Sequence, residues 1–495
     1  MRVCGVNKSV ITGKEPPLVL ASFETYIKSS LENLKWQLKR YFGDTSKLSV
    51  EDVRDNLARL NAYENIDCLK EIEKEHITIL DENEIDTREA EEVVLKGEFF
   101  WEHAAAGEAT RLGAGTKYVL KLSDFPVERI INLRKREIEK DFKSDPATVK
   151  KLISELTGKN LLKQMECRPE DILPLTLGAR HMLQMAYDIV KLAKKHGKNP
   201  EEVLKKQKML LVMNGPTAER IINDFIRHNF FGFNRKTVFF MIQKSFPGID
   251  IKNGESFYDT SHERHYRLHN HGQMVMQKTQ DNVIFYIDDD KSRRYLKSKE
   301  FENILGTVKD LVSYNIEDMD YLAGSIDWQS LALSLELGKQ GYAMTMEIVG
   351  QNPLKPQKGG ACFRDDNKKR VVMIESNQLM GMKEEDIKHL NKNFNHYPNP
   401  VIAFRAVKEG KMHLHIDVKH SVDRNGNPKN YIYFCTPQGD INFLVKTAYI
   451  MRKKVKQIAN WKSPATTPAA VKACFKQDYQ KGFKEFVEKI LKLTA

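Results

Sequence analysis

Paired cysteines, long apolar runs and a leader pattern are all missing from this chain, and each absence removes a class of function. The six cysteines, Cys4, Cys68, Cys167, Cys362, Cys435 and Cys474, lie far apart and form no Cys-x-x-Cys pair. Neither a disulfide framework nor a cysteine zinc site is therefore implied, and a reducing cytoplasm is the expected setting. No run of about 18 apolar residues exists to cross a bilayer, and the N-terminus lacks the charged, apolar, small-residue order of a signal peptide, so no membrane partner is expected. The lysines fall in scattered clusters without the aromatic-basic platform that stacks bases, so nucleic acid is not an expected partner either.

What is present is a chain of 495 residues with 41% hydrophobic content, enough for large cores. A net charge of +12 and a pI near 9.1 suit anionic ligands such as nucleotides and phosphosugars, but charge alone does not choose among them. Oligomeric state is not written in the composition.

One stretch organises the rest, Gly97 to Lys117, which reads GEFFWEHAAAGEATRLGAGTK. Phe99, Phe100 and Trp101 read as a buried strand that delivers a tight loop holding Gly107, Gly113 and Gly115. Small residues let successive backbone N–H groups turn inward, and such a nest binds phosphate oxygens when cations stand beside it. Arg111 and Lys117 are the cations. Taken alone, an ordinary turn between strand and helix competes with this reading.

Apolar spacing predicts a helix from Ser22 to Phe42 with Gly43 as its stop, a second from Ser49 and a third over Thr87 to Leu95. After Lys117, Ser123 and Asp124 read as an N-cap, and Asp145-Pro146 opens another helix. Residues 123–172 are thus expected to be a helical insertion. Met209 to Asn214, a helix over Ala218 to Asn229, and Thr237 to Ile242 predict a right-handed parallel strand-helix-strand unit. Further strands are expected at Val283 to Ile287, Val308 to Tyr314, Val401 to Val407, Met412 to Lys419 and Tyr431 to Cys435, before basic helices that include MRKKVK. The histidines of SHERHYRLHNHGQ fit no zinc spacing strongly.

The order Ala-Gly-x-Ala-Thr-Arg-Leu-Gly, Ala106 to Gly113, followed by Lys117, resembles the signature loop of the UDP-sugar pyrophosphorylase family, Gly-Gly-x-Gly-Thr-Arg-Leu-Gly and then Pro-Lys. Ala106 and Ala109 replace family glycines, and Thr116 replaces the proline. Other segments are similar to the family in the same order. LPLTLGARHMLQ, with Arg180 and Gln184, resembles its Leu-Pro-Ser-Gly-Lys-Ser-Leu-Phe-Gln, LVMNGPT its Leu-Val-Met-Asn, and Gln243 with the following proline its uracil-reading Gln-x-x-x-Pro. His271-Gly272-Gln273 resembles part of its Gly-His-Gly-Asp turn, with Asn270 and Gln273 at the glycine and aspartate positions. SYNIEDMD resembles its metal-holding Ser-Asn-Ile-Asp-Asn-Leu, with Glu317 at the aspartate and Asp318 next. Met346 to Ser376 places Lys358, Gly359, Gly360 and Glu375 at the family's Lys-Gly-Gly and sugar-side glutamate, and Phe394, Asn395 and His396 echo its Asn-Thr-Asn-Asn.

The resemblance implies an α/β, Rossmann-like nucleotidyltransferase (GT-A-like) fold, a mixed sheet flanked by helices with a helical N-terminal cap and a smaller C-terminal region. The expected division is 1–96, helical; 97–410, catalytic; and 411–495, an α/β region ending in basic helices. It implies transfer of a uridylyl group from UTP to a sugar 1-phosphate, releasing pyrophosphate, with Mg²⁺. Arg111 and Lys117 would be catalytic. Ala106, Gly107, Glu108, Ala109, Thr110, Gln243 and Gly272 would bind nucleotide, and His271, Asn315, Gly360 and Glu375 the sugar phosphate. Glu317 or Asp318 would hold the metal, and Lys419 or Lys446 would supply a further lysine near the phosphates. The alternative is a catalytically degenerate protein of this fold that binds nucleotide or RNA, with Ala106, Ala109, Asn270, Gln273 and Glu317 as its altered positions. The identity of the sugar stays open.

Overall fold

A computed structural model describes residues 23–42, 62–107, 112–113, 115–244, 246–252, 254, 256–257, 271–351, 359–380, 382–410, 412, 414–422, 428–454 and 460–492. Its strands are β1 (Leu69–Lys70), β2 (Ile77–Leu80), β3 (Phe99–Ala104), β4 (Lys208–Asn214), β5 (Val238–Gln243), β6 (Gly248–Asp250), β7 (Ser256–Phe257), β8 (Ile284–Ile287), β9 (Arg293–Tyr295), β10 (Asp310–Asn315), β11 (Met344–Gly350), β12 (Ala361–Asp365), β13 (Arg370–Ile374), β14 (His389–Pro398), β15 (Ile416–Val422), β16 (Pro428–Phe434) and β17 (Thr447–Arg452). The large mixed sheet runs β2-β17-β11-β14-β10-β3-β4-β5-β8-β9, with β12 branching from β14 and pairing β1 and β13. A small sheet, β15-β16-β6-β7, stands apart from it.

Strand β3 is apolar on both faces because both are covered, as expected for a parallel strand inside a layered sheet. Phe99 and Trp101 enter a core shared with helices Leu177–Lys195 and Gly215–Arg227, while Phe100 enters a second core with Leu210, Val212 and Phe239. β3 runs parallel to β4 on one side and to β10 on the other. The chain leaves β3 toward β4 and only later returns to its opposite side. Such a reversal opens a crevice beyond the carboxyl ends of the strands, where ligands bind in sheets of this kind.

Most expected elements are present. Phe23–Phe42 is a helix, and Arg88–Lys96 ends at Gly97, whose φ of 72° supplies the left-handed stop. The insertion contains helices Val127–Asp141, Pro146–Glu155 and Gly158–Met165, the second capped by Asp145 accepting from Thr148 N. The helix expected from Ser49 lies outside the described residues.

Several expectations are corrected. Residues 400–409 form a helix, not the strand expected at Val401 to Val407, because Pro400 opens it and Pro400, Ala403, Phe404 and Val407 bury one helical face. Ser123 and Asp124 sit in a short 3-10 turn, and Pro126 stands at the N-cap instead. The first residues of MRKKVK close β17 rather than starting a helix. His271-Gly272-Gln273 starts the helix His271–Gln277 and is not an isolated turn. The N-terminal region, expected to be helical, also contributes β1 and β2, of two and four residues, too short for periodicity to show. Since β2 and β17 both lie in the large sheet, strands from all three expected regions meet in one layer.

The C-terminal helices are tied to the sheet's helical layer by Arg180. This side chain is fully buried, donating from Nη1 to Asp478 Oδ1 at 2.7 Å and to Gln477 Oε1 at 2.9 Å, and from Nη2 to the Leu173 carbonyl at 2.6 Å. Its role is structural. Asp478→Ala leaves that guanidinium buried without its carboxylate and is expected to lower unfolding stability by about 3 to 5 kcal/mol, read from urea denaturation.

Candidate functional site

The loop after β3 is pinned at its base by the backbone. Ala105 N donates to the Val212 carbonyl at 2.8 Å, Asn214 Nδ2 to the Ala106 carbonyl at 2.8 Å, and Lys117 N to the Gly107 carbonyl at 3.1 Å. The last of these bonds closes the loop on itself. Gly113 and Gly115 have φ of 57° and 82°, values that other residues adopt at a cost. Glu108, Ala109, Thr110 and Arg111 lie outside the described residues.

Beyond the loop, Lys117–Val119 form a 3-10 turn held against helix Leu177–Lys195. The buried Tyr118 ring packs so closely on Gly178 that a Cβ there would fall 2.1 Å from it, and Leu177 N donates to the Leu120 carbonyl at 2.8 Å. That contact fixes Lys117, which is only 7% exposed. Its Nζ lies 3.1 Å from Glu317 Oε2. Glu317 follows β10, whose Asn315 pairs with Ala104 in register, so the two loops leave the sheet side by side.

Segment 460–462 crosses this exit. Trp461, fully buried with its Nε1 donating to Thr467 Oγ1 at 3.1 Å, gives its backbone N–H to the Glu317 carbonyl at 2.9 Å, and Asn460 pairs with Asp318 in an isolated bridge. Lys462 Nζ consequently stands 3.8 Å from Glu317 Oε1. The neighbouring carboxyl turns elsewhere: Asp318 Oδ2 accepts from Asn315 N at 3.2 Å, and burial pushes its pKa up to about 6.

Two cavities flank β10 and share Asn315 and Lys462. The first, about 400 Å³, is lined by Glu317, Glu375, Asn395, Asp417 and Tyr433 among others. The second, about 410 Å³, takes Asp318, Asp327, Glu347, Lys392 and Arg452. Much of its charge is already matched, since Arg452 donates to Glu347, Glu82 and Asp327, and Lys392 Nζ reaches Glu347 at 2.7 Å, whereas Asp318 and Asp320 lie outside that network. The first cavity is the better candidate for a ligand. Glu375 begins the turn after β13, and Gly360 brings the chain close to it, a Cβ there falling 3.2 Å from Glu375 Oε1 and 2.4 Å from Met373 Sδ. Burial, reinforced by nearby Asp440 and opposed by His415, pushes the Glu375 pKa up to about 7.

Behind β3 and β10, His103 and His181 are fully enclosed. Burial holds His103 well below the usual histidine range and His181 at about 4, so both are neutral packing groups against Tyr314.

The cleft thus brings together Lys117, Gly107, Asn315, Glu317, Gly360 and Glu375, with Ala106 at the loop's base. Asp318 faces the other cavity. Gln243 ends β5, paired in register with Asn214, two strands from the loop. Gly272 packs on the chain itself, its N–H donating to the Thr436 carbonyl at 2.9 Å, where a Cβ would fall 2.5 Å from that oxygen. His271 opens the same helix. Lys446 precedes β17, at the opposite end of the strands, where its Nζ lies 4.1 Å from the Tyr342 ring centroid and donates to the Gln340 carbonyl. Lys419 is on β15 of the small sheet. The lysine that stands beside Glu317 is Lys462, which reading the sequence missed: it carries no motif, and only the bridge to Asp318 brings it in. Among the described residues, the one cluster of three metal-capable side chains is Glu73, Glu75 and His76, before β2 and also at the far end of the strands.

Neither a protein-family model nor a curated protein sequence matches the chain. Solved structures do. The uridine diphosphate N-acetylglucosamine pyrophosphorylase of Trypanosoma brucei, crystallised with an inhibitor, superposes with a TM-score of 0.56 at 12% identity, over 92% of this chain and 85% of that one. A variant of Leishmania major UDP-glucose pyrophosphorylase in complex with UDP-glucose gives 0.52 at 15% identity, over 88% and 78%. This chain has the fold of the UDP-sugar pyrophosphorylases. A third example, UDP-glucose phosphorylase from Trypanosoma brucei, gives 0.50 at 11% identity over 88% and 77%.

Glu375 gives the pyrophosphorylase fold a titration that can be measured here. Its pKa rises from 4.5 in the unfolded chain to about 7 in the folded one. Folding therefore binds a proton in between, and the Glu375 contribution is favourable below pH 4.5 and lost as pH rises through 7. Glu375→Gln is expected to match the wild type near pH 4.5 and to exceed it above pH 7 by about 2 to 3 kcal/mol, read from urea midpoints across the pH range.

Proposed function

We propose that this cleft transfers a uridylyl group from UTP to a sugar 1-phosphate, yielding a UDP-sugar and pyrophosphate. The observation that carries the reading is Lys117, a nearly buried lysine beside the loop after β3, facing Glu317 and Lys462 at the reversal point of a pyrophosphorylase fold. The neighbours' own ligands, UDP-glucose among them, support the same substrate class.

A sugar phosphate oxygen attacks the α-phosphorus of UTP in line as pyrophosphate leaves, so no covalent enzyme intermediate is needed and positioning and charge stabilisation supply the rate. Backbone N–H groups from Gly107 to Thr110 hold the triphosphate, with Ala106 setting the loop's approach. Arg111, Lys117 and Lys462 balance charge on the attacked phosphate and on the leaving pyrophosphate. Gln243 reads the uracil edge, since an amide both donates and accepts. Gly272 would lie against the nucleotide, and His271, Asn315, Gly360 and Glu375 would hold the sugar phosphate. Of the two acidic candidates Glu317 alone faces the cleft, and Mg²⁺ needs no more than one or two carboxylates when phosphates complete its shell. Glu317 would hold Mg²⁺, which when bound neutralises phosphate charge and orients the oxygens. Lys117 then exchanges its Glu317 partner for phosphate.

A cytoplasmic setting is part of the proposal, supported by Cys68, Cys167, Cys362 and Cys474, which form no disulfide among the described residues. Among the described residues no helix is long and apolar enough to cross a membrane.

A second reading, a nucleotide-binding protein without turnover, draws on the same Lys117–Glu317 pair, because a lysine held by a carboxylate is not yet offered to phosphate. Pyrophosphate release from UTP with Mg²⁺ and a panel of sugar 1-phosphates separates the two. Transfer predicts release, and Lys117→Ala is expected to lower kcat by about 10² to 10³ with far smaller change in stability. Tight UTP binding with no release from any pairing would favour the second reading, and a folded Lys117→Ala protein with full turnover would remove Lys117 from the chemistry.

A further inference from the structure

The charges around the first cavity are unevenly distributed. Among the described lining residues Lys462 is the sole cation, and it stands with Lys117 at the Glu317 end. Glu375 and Asp417 line the cavity without any cation of the lining beside them. Among the described residues Asp417 accepts from neutral groups, Val418 N at 2.8 Å and Tyr433 Oη at 3.3 Å.

A third group points the same way. Asn395, on β14, is 5% exposed, and its Oδ1 has no hydrogen-bond partner although it belongs to the cavity wall. A buried acceptor left without a donor is costly, so this wall is built to be completed from outside the chain. Two carboxylates and an amide oxygen all accept and do not donate when ionised. The ligand they fit is rich in donors, and one that brings positive charge also offsets the burial of Glu375, away from the Lys462 end. The upward shift of the Glu375 carboxyl has burial as its chief cause, with Asp440 adding to it and His415 opposing it.

We propose that the end of this cleft lined by Glu375, Asp417 and Asn395 prefers a sugar 1-phosphate bearing a free amine to a neutral one, and excludes sugars bearing a carboxylate. The inference rests on reading the cleft as a sugar-phosphate site. The phosphate lies at the Lys117 and Lys462 end, and the amine at the opposite, acidic end. A carboxylate on the sugar would meet like charges with no cation to receive it.

Titration calorimetry of the full chain at pH 7.5 with glucosamine 1-phosphate, glucose 1-phosphate and glucuronic acid 1-phosphate tests the order, with UTP titrated separately. The amine is expected to bind about 10-fold more tightly than the neutral sugar and the uronate about 10-fold or more weakly, a size ordinary for one charge pair in a desolvated site. Asp417→Asn, an isosteric change, is expected to reduce the amine preference to about twofold while leaving UTP affinity unchanged; should that variant not fold, Glu375→Gln is expected to reduce the ratio of amine to neutral sugar affinity likewise, read from the two sugar phosphates alone. Equal affinity for amine and neutral sugar, uronate binding as tight as glucose 1-phosphate, or no sugar phosphate binding at all overturns the proposal. UTP binding with that order absent overturns it alone, whereas the expected order without UTP binding overturns the transferase reading and leaves the acidic subsite standing.

Discussion

The parallel pairing of β3 with β10 is the constraint on which the cleft depends. Because Ala104 stands opposite Asn315, the loop carrying Gly107 and the turn carrying Glu317 leave the sheet at one height and one place. Everything that follows is local consequence. The Gly107 carbonyl takes the Lys117 N–H, Glu317 takes the Lys117 ammonium, and the Glu317 carbonyl takes Trp461, which brings Lys462. A slip of one residue between the two strands would turn every one of these side chains to the other face.

Electrostatics then divides the space beyond the strands. On one side of β10 the charges of Asp327, Glu347, Lys392 and Arg452 satisfy one another, a network that braces the wall. On the other side Lys117 and Lys462 gather at Glu317, while Glu375 and Asp417 line the cavity and Asn395 Oδ1 has no hydrogen-bond partner. Similar cavity size therefore conceals different chemistry.

Much of this was legible in the sequence because the signals were local. The run Phe99 to Trp101, the glycines after it, the parallel unit from Met209 and the turn after β10 all announce themselves through short-range pattern. Gly360 and Glu375 were singled out through the family resemblance, and they are neighbours because β12 and β13 pair antiparallel with Ala361 opposite Ile374. What was not legible depended on distant pairing. Lys462 reaches the cleft through the bridge between Asp318 and Asn460 and the bond from Trp461 N to the Glu317 carbonyl, and no periodicity encodes either. Asp417 lies on a separate small sheet. Residues 400–409 were misread because a short apolar run fits strand and helix alike, and the proline at its start was the deciding sign. Gly272 shows the reverse case, a glycine demanded by close approach to Thr436 within the chain.

Strand β17 has one more consequence, and it concerns the order of events in the cell. It is the last strand made, yet it lies between β2 and β11, parallel to both. As the chain leaves the ribosome, the earlier strands therefore have a gap at this position that only residues 447–452 can fill, and Lys462 arrives just behind them. Parallel pairing across such separations is slow and leaves edges exposed in the meantime. Completing the sheet and bringing Lys462 to the cleft therefore both depend on residues far along the chain from the strands they join.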